Sequence, residues 1–235
     1  MPKQKENNNS KLKALLLISG GIDSPVAGKI LLDKGYLLEA IHFSQEPFTD
    51  DTPEKKSLLL ARAIGLGEVT VVDAGELFKE IADKTYREYY FVLIKRFMMK
   101  VSEKIAKQRG IEYLVTGESL GQVSSQTMSN LNTINLATKI EILRPLLFMN
   151  KQEIIDISIK DGYFETSKGP EMCDALASGR PKTKTNLDDI IKEEEKCKME
   201  ELVEKAENKF RVETTKQKIE LPKQINSTCA PNKLA

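Results

Sequence analysis

The residues Ser19-Gly20-Gly21-Ile22-Asp23-Ser24 place two hydroxyls, two glycines and one carboxylate inside six positions, directly after an apolar run. A helix entered from such a turn offers unpaired backbone N–H groups and a partial positive charge, which suits an anion such as phosphate. Gly20 and Gly21 are expected to let the backbone approach a ligand and to adopt positive φ, and Ser19 and Ser24 to donate hydroxyl hydrogen bonds. A hard carboxylate oxygen at Asp23 suits magnesium near the phosphates. Two familiar phosphate loops are excluded. No GxGxxG occurs, and the P-loop spacing fails because Ile30 follows Lys29 where a hydroxyl is required.

The elements that must position this turn follow from periodicity. Ala14 to Ile18 is a continuous apolar run, as in a parallel strand covered on both faces. Pro25 suits the first position of a helix carrying Val26, Ala27, Ile30 and Leu31 on one stripe. Strands are predicted at Leu37–Phe43, Glu68–Val72, Tyr113–Thr116 and Ile142–Arg144. Helices are predicted at Glu54–Ile64, Tyr89–Arg109, from about Val123, and at Lys151–Ile159. Strands alternating with helices predict an α/β fold, a parallel sheet between two helical layers in a three-layer sandwich. Residues 162–185 lose periodicity and read as a long loop around Cys173. Residues 187–208 read as one charged helix, with Lys192 to Lys196 on its solvated face, followed by a short strand near Phe210–Val212. The expected organisation is a polar tail over 1–13, one domain over 14–212 and a tail over 213–235.

Composition narrows the function classes. The 36 basic and 35 acidic residues give a net charge of +1, so no general coat of positive charge marks the chain for nucleic acid, although a local patch stays open. No apolar run reaches the roughly 18–20 residues of a membrane span, and the first residues lack a signal-peptide core, so the expected location is the cytoplasm without membrane attachment. Three cysteines without CxxC spacing argue against a disulfide framework or a structural zinc site.

The turn resembles the SGGxDS signature of the PP-loop ATP pyrophosphatases. Further stretches, "IHF" at 41–43, "VLIKRFMMKVSEKIAK", "TGESLGQVSSQT" and "RPLLFMNKQEII", come in the order of the tRNA 4-thiouridine synthetase family, also described as a thiamine-biosynthesis sulfurtransferase. The resemblance covers residues 14–185. It implies a PP-loop (adenine nucleotide alpha hydrolase-like) fold, ATP and Mg2+ as cofactors, and adenylation of a uridine in tRNA followed by sulfur transfer to give 4-thiouridine. It implies nucleotide contacts at Leu17, Ile18, Ser19, Gly20, Gly21, Asp23, Ser24, His42, Phe43, Gly117 and Gln126, and at Lys95 or its neighbour Arg96. It also implies a metal contact at Asp23, an adenylation role for Lys151 and a sulfur-handling role for Cys173.

Read without the resemblance, each residue has a plainer explanation. His42 is then a polar strand-end neighbour, Lys95 and Arg96 lie on a solvated helix face, and Gln126 makes a local bond at the start of a helix. The cations Lys168, Arg180, Lys182 and Lys184 either lower the pKa of Cys173 or contact the tRNA backbone. The resemblance further implies a sulfur donor, a persulfide protein or sulfide. Neither the tRNA-presenting THUMP region nor a rhodanese module is recognisable, so a separate tRNA-presenting subunit or a homodimer is expected to complete the enzyme. A small-molecule substrate in sulfur or thiamine metabolism, or an ATP-binding module without turnover, is the alternative.

Overall fold

The computed structural model describes residues 11–122, 125–168, 176 and 180–221. Six strands form one sheet, β1 (Lys13–Leu17), β2 (Leu37–Ser44), β3 (Glu68–Asp73), β4 (Tyr113–Val115), β5 (Glu141–Leu143) and β6 (Phe210–Thr214), in the order β5-β4-β1-β2-β3-β6. All pairings are parallel except that of β6, which runs antiparallel along β3 with Val72 opposite Phe210. The strand order reverses at β1, whose neighbours are β2 and β4, and a crevice for ligands opens beyond the carboxyl ends of strands at such a point.

The two-residue alternation of β1 and β2 divides the core. Leu15, Leu17, Ile41 and Phe43 face one helical layer, while Ala14, Leu16, Ile18 and Ala40 face the other. The second layer contains α1 (Asp23–Asp33), α2 (Thr52–Ala63), α6 (Lys151–Lys160) and the single-turn α7 (Phe164–Ser167). The first contains α3 (Gly75–Lys84), α4 (Tyr90–Arg109), α5 (Met128–Asn135), α8 (Leu187–Cys197) and α9 (Met199–Glu207). Each fully buried Leu, Ile or Phe in these layers contributes about 1.5–3 kcal/mol. The three-layer α/β sandwich agrees with the expectation.

Several local expectations are corrected. α1 begins at Asp23, which puts Pro25 at the third helical position, still inside the first turn where its missing N–H costs nothing. Helix α3 was not anticipated, although Leu77, Phe78 and Ile81 make a buried stripe on it. Gly75 at its start is required by space, because a Cβ there would lie 2.1 Å from the Glu46 carbonyl oxygen. α5 starts at Met128, with Thr127 as its cap accepting from the Asn130 N–H. The predicted loop 162–185 contains α7. The expected single helix over 187–208 is two helices, because Lys198 adopts φ 54°, ψ 53° and turns the chain between them. Among the described residues no helix is long and apolar enough to cross a membrane.

Candidate functional site

A cleft of about 380 Å³ opens at the carboxyl ends of β1, β2 and β4. One wall is apolar, built from Leu17, Phe43, Phe78, Phe91, Ile94 and Met98 on β1, β2, α3 and α4. The other end is polar and belongs to the Ser19–Ser24 turn. There the Ser24 hydroxyl oxygen accepts from the Ser19 N–H at 2.9 Å and lies 3.2 Å from Ser19 Oγ, and the Gly21 N–H donates to Ser19 Oγ at 3.3 Å. These bonds hold the turn in shape while the amino end of α1 faces the cleft.

The glycines act differently from the expectation. Positive φ occurs at Gly35, Gly65, Gly110, Gly121 and Gly162 among the described glycines, not in the turn. Gly20 instead sits close to a neighbour, since a Cβ there would stand 3.1 Å from Lys56 Cβ, a tight contact that Lys56 would have to relieve. Gly117 is more tightly constrained, because its Cβ would meet Asp23 C and Ser24 N at 2.7 Å. The β4 loop thus packs backbone to backbone against the phosphate-type turn, which a side chain would prevent.

Lys151 is the first residue of α6, where Asn150 and Glu153 form a reciprocal capping box. Its Nζ donates to Asp23 Oδ1 at 2.8 Å, so residues 128 positions apart meet at the amino ends of two helices. Lys95 reaches the cleft from α4 and lies 3.7 Å from Glu118 Oε1. Gln126 lies in the loop before α5, accepting from the Ser119 N–H at 3.1 Å, and also lines the cleft.

His42 is buried, and its Nδ1 donates to the Ile18 carbonyl at 3.0 Å, tying β2 to β1. Burial lowers its pKa, so the ring stays neutral at neutral pH and Nε2 is left as an acceptor with no hydrogen-bond partner among the described residues.

Leu17, Ile18, Ser19, Gly20, Gly21, Asp23, Ser24, His42, Phe43, Lys95, Gly117 and Gln126 therefore surround one cleft. Arg96 does not join them. Its side chain points away from the cleft, forms a two-toothed pair with Glu194 at 2.8 and 3.0 Å, and donates to the Thr133 carbonyl at 2.5 Å. The expected solvated face at Lys192–Lys196 is corrected by the same contact, since Glu193 and Glu194 are both buried. Glu193 Oε2 accepts from the Tyr86 N–H. Cys173 lies outside the described residues. Cys197 is buried, and burial pushes its thiol up to about 11.

Among the lining residues that sequence reasoning missed, which include the apolar wall from α3 and α4, two are charged. Lys56 is buried beside Gly20 and donates to the Lys168 carbonyl at 2.7 Å. Glu118 is buried beneath Lys95. Burial disfavours its ionised form, but the Lys95 and Arg144 charges and hydrogen bonds from Arg144 and Thr116 outweigh this and hold the carboxyl below the usual range. The position of Glu118 inside "TGESLGQ" was a signal for it, whereas nothing local marks Lys56.

This geometry has counterparts of known descent. The family model described as thiamine biosynthesis protein (ThiI) matches residues 9–199. The chain belongs to the ThiI family. Relatives of this ThiI-family chain include the probable tRNA sulfurtransferase of Alkaliphilus oremlandii, 42% identical over 207 residues, which are 86% of this chain and 53% of the relative. That of Brevibacillus brevis is 41% identical over 214 residues, 88% and 54% of the two chains. The chain spans about half the length of the curated relatives it matches. A 4-thiouridine synthetase solved in complex with RNA and ATP superposes with a TM-score of 0.79 at 34% identity, over 86% of this chain and 55% of the other. The NMN synthetase of Francisella tularensis shares the fold, with a TM-score of 0.55 at 15% identity over 86% of each chain.

Proposed function

We propose that this ThiI-family chain uses ATP to adenylate O4 of a uridine in tRNA, preparing C4 for replacement of oxygen by sulfur to give 4-thiouridine. The observation that carries the reading is the cleft that gathers the turn with Asp23, Lys95 and Gln126 at the strand-order reversal, with Lys151, outside the lining, paired to Asp23. Its apolar wall suits a purine, and its polar end suits a polyphosphate. The likeness to an ATP-bound 4-thiouridine synthetase and to probable tRNA sulfurtransferases supports the same substrates.

In this reading uracil O4 attacks the α-phosphorus of ATP, the bond to the bridging oxygen breaks, pyrophosphate leaves and the uracil N3 proton passes to solvent. The charge gained by the pyrophosphate is met by the amino end of α1 and by the Lys95 and Lys151 ammoniums. O4, the exocyclic carbonyl oxygen and a poor leaving group by itself, then departs as part of AMP when sulfur attacks C4. Asp23, a carboxylate lining the polar end of the cleft, would hold Mg2+ together with substrate phosphates, the usual mode for this ion. When bound it would neutralise phosphate charge. Cys173 belongs to the proposal as the residue that accepts sulfane sulfur from a persulfide protein, releasing that protein's thiol, whereas sulfide would attack C4 directly. A separate subunit or second copy presenting the tRNA belongs to it too, as does the cytoplasm, where tRNA is found.

The test measures AMP and pyrophosphate from ATP and Mg2+ with sulfide, with and without unmodified tRNA, while following the near-ultraviolet band of thiouridine. The expected result is tRNA-dependent AMP together with that band. AMP without tRNA dependence would redirect the reading to a small-molecule substrate, and its absence under every combination would refute adenylation.

A further inference from the structure

A carboxylate inside a cleft meant for a polyphosphate is a contradiction unless its charge is spent on something else. Glu118 lines the cleft and is 3% exposed. Its Oε2 accepts from Arg144 Nε at 2.8 Å and from Thr116 Oγ1 at 3.0 Å, while Oε1 remains directed at the Lys95 ammonium. Arg144 is itself fixed, donating through Nη1 to Asn135 Oδ1 at 2.7 Å. The cluster of Lys95, Glu118 and Arg144 carries one surplus positive charge, and its two buried members are held by geometry rather than by solvent. Lys95 is the one member open to solvent, with a side chain 39% exposed.

A lysine is a point charge on a flexible stem, and fixing it costs rotamer freedom. The Glu118 carboxylate, 3.7 Å from the Lys95 ammonium, biases the lysine toward the cleft before any ligand arrives, and Arg144 balances the Glu118 charge so that the Lys95 charge is not cancelled. We propose that Glu118 is a positioning residue for nucleotide binding, acting through Lys95 to set a cation over the polyphosphate end of the cleft. This rests on the reading of the cleft as an ATP site.

The experiment is calorimetric titration of ATP with Mg2+ into the unchanged protein, Lys95→Met, Glu118→Gln and the double variant, each checked by thermal melting. Lys95→Met is expected to weaken binding about tenfold, Glu118→Gln to weaken it several-fold, and the double variant to bind no more weakly than Lys95→Met alone. Losses that add in full, or a Glu118→Gln protein with unchanged affinity, overturn the proposal, because residues acting through one another are non-additive. A purely structural Glu118 would lower the melting temperature and leave affinity intact. Should Glu118→Gln fail to fold, Glu118→Asp keeps the charge, shifts its position and carries the same comparison. Failure of the unchanged protein to bind ATP overturns the nucleotide reading itself, and ATP binding that ignores Lys95→Met overturns only the role given to Lys95 and Glu118.

Discussion

Lys95 and Arg96 are consecutive on α4, yet they serve opposite halves of the molecule. Lys95 is part-exposed in the cleft, whereas the Arg96 side chain is 4% exposed and locked to Glu194 and the Thr133 carbonyl, where it joins α4 to α5 and α8. A step of one residue turns a helix by about 100°, so neighbours in sequence look in different directions. The comparison extends to carboxylates. Asp23 meets Lys151 at the cleft mouth, half in water, while Glu194 is buried in the helical layer. A cation and carboxylate in contact hold architecture when buried and hydrogen-bonded, and remain available to a ligand when part-solvated.

Removing either side tests this division. Arg96→Ala should have the largest effect, stranding the Glu194 carboxylate and costing about 3–5 kcal/mol, a fall in melting temperature on the order of 10 °C, with ATP affinity of the folded protein retained. Calorimetry at low temperature checks the second half, and an unchanged melting point would break the comparison. Asp23→Asn should do the reverse. Pyrophosphate release is expected to drop by about 100- to 1000-fold, while stability stays within about 1 kcal/mol because the pair is part-exposed.

Gly117→Ala lies between the two regions. Its Cβ must displace the Asp23–Ser24 backbone, which should cost about 1–3 kcal/mol and weaken ATP binding, read by melting and titration on one sample. The smallest effect concerns His42. Its folded-state pKa lies below the unfolded value, so the unfolded chain binds the extra proton and stability falls as pH drops below about 6.5. Denaturant melts between pH 5 and 8 should show a slope that His42→Asn reduces. An identical slope in the variant would assign it to other groups.

The cleft was legible to the extent that its parts are backbone features. The apolar run of β1 and the glycines at 20 and 21 are local patterns, and local patterns survive in a sequence. The reason for the glycines was not legible. Positive φ was the expectation at Gly20 and Gly21, and what the structure shows is Gly20 close to Lys56 and, at Gly117, close packing against the Asp23–Ser24 backbone. Helix α3 was overlooked despite a clear stripe. The break at Lys198 had no glycine or proline to announce it.

By itself, the order of apolar runs and helical stripes determined the alternating α/β layers and the site of the polar turn at a strand end, while the motifs from the Ser19–Ser24 turn to "RPLLFMNKQEII" carried the family resemblance. Tertiary structure alone decided which charges face the cleft. Charge signs are written in the sequence, but direction depends on helix phase and on partners about 100 residues away, as with Arg96 and Glu194 or Lys151 and Asp23. An ion pair between distant segments exists only once the sheet has brought its helices together, and this is why Lys95 and Arg96 could not be told apart before the fold was known.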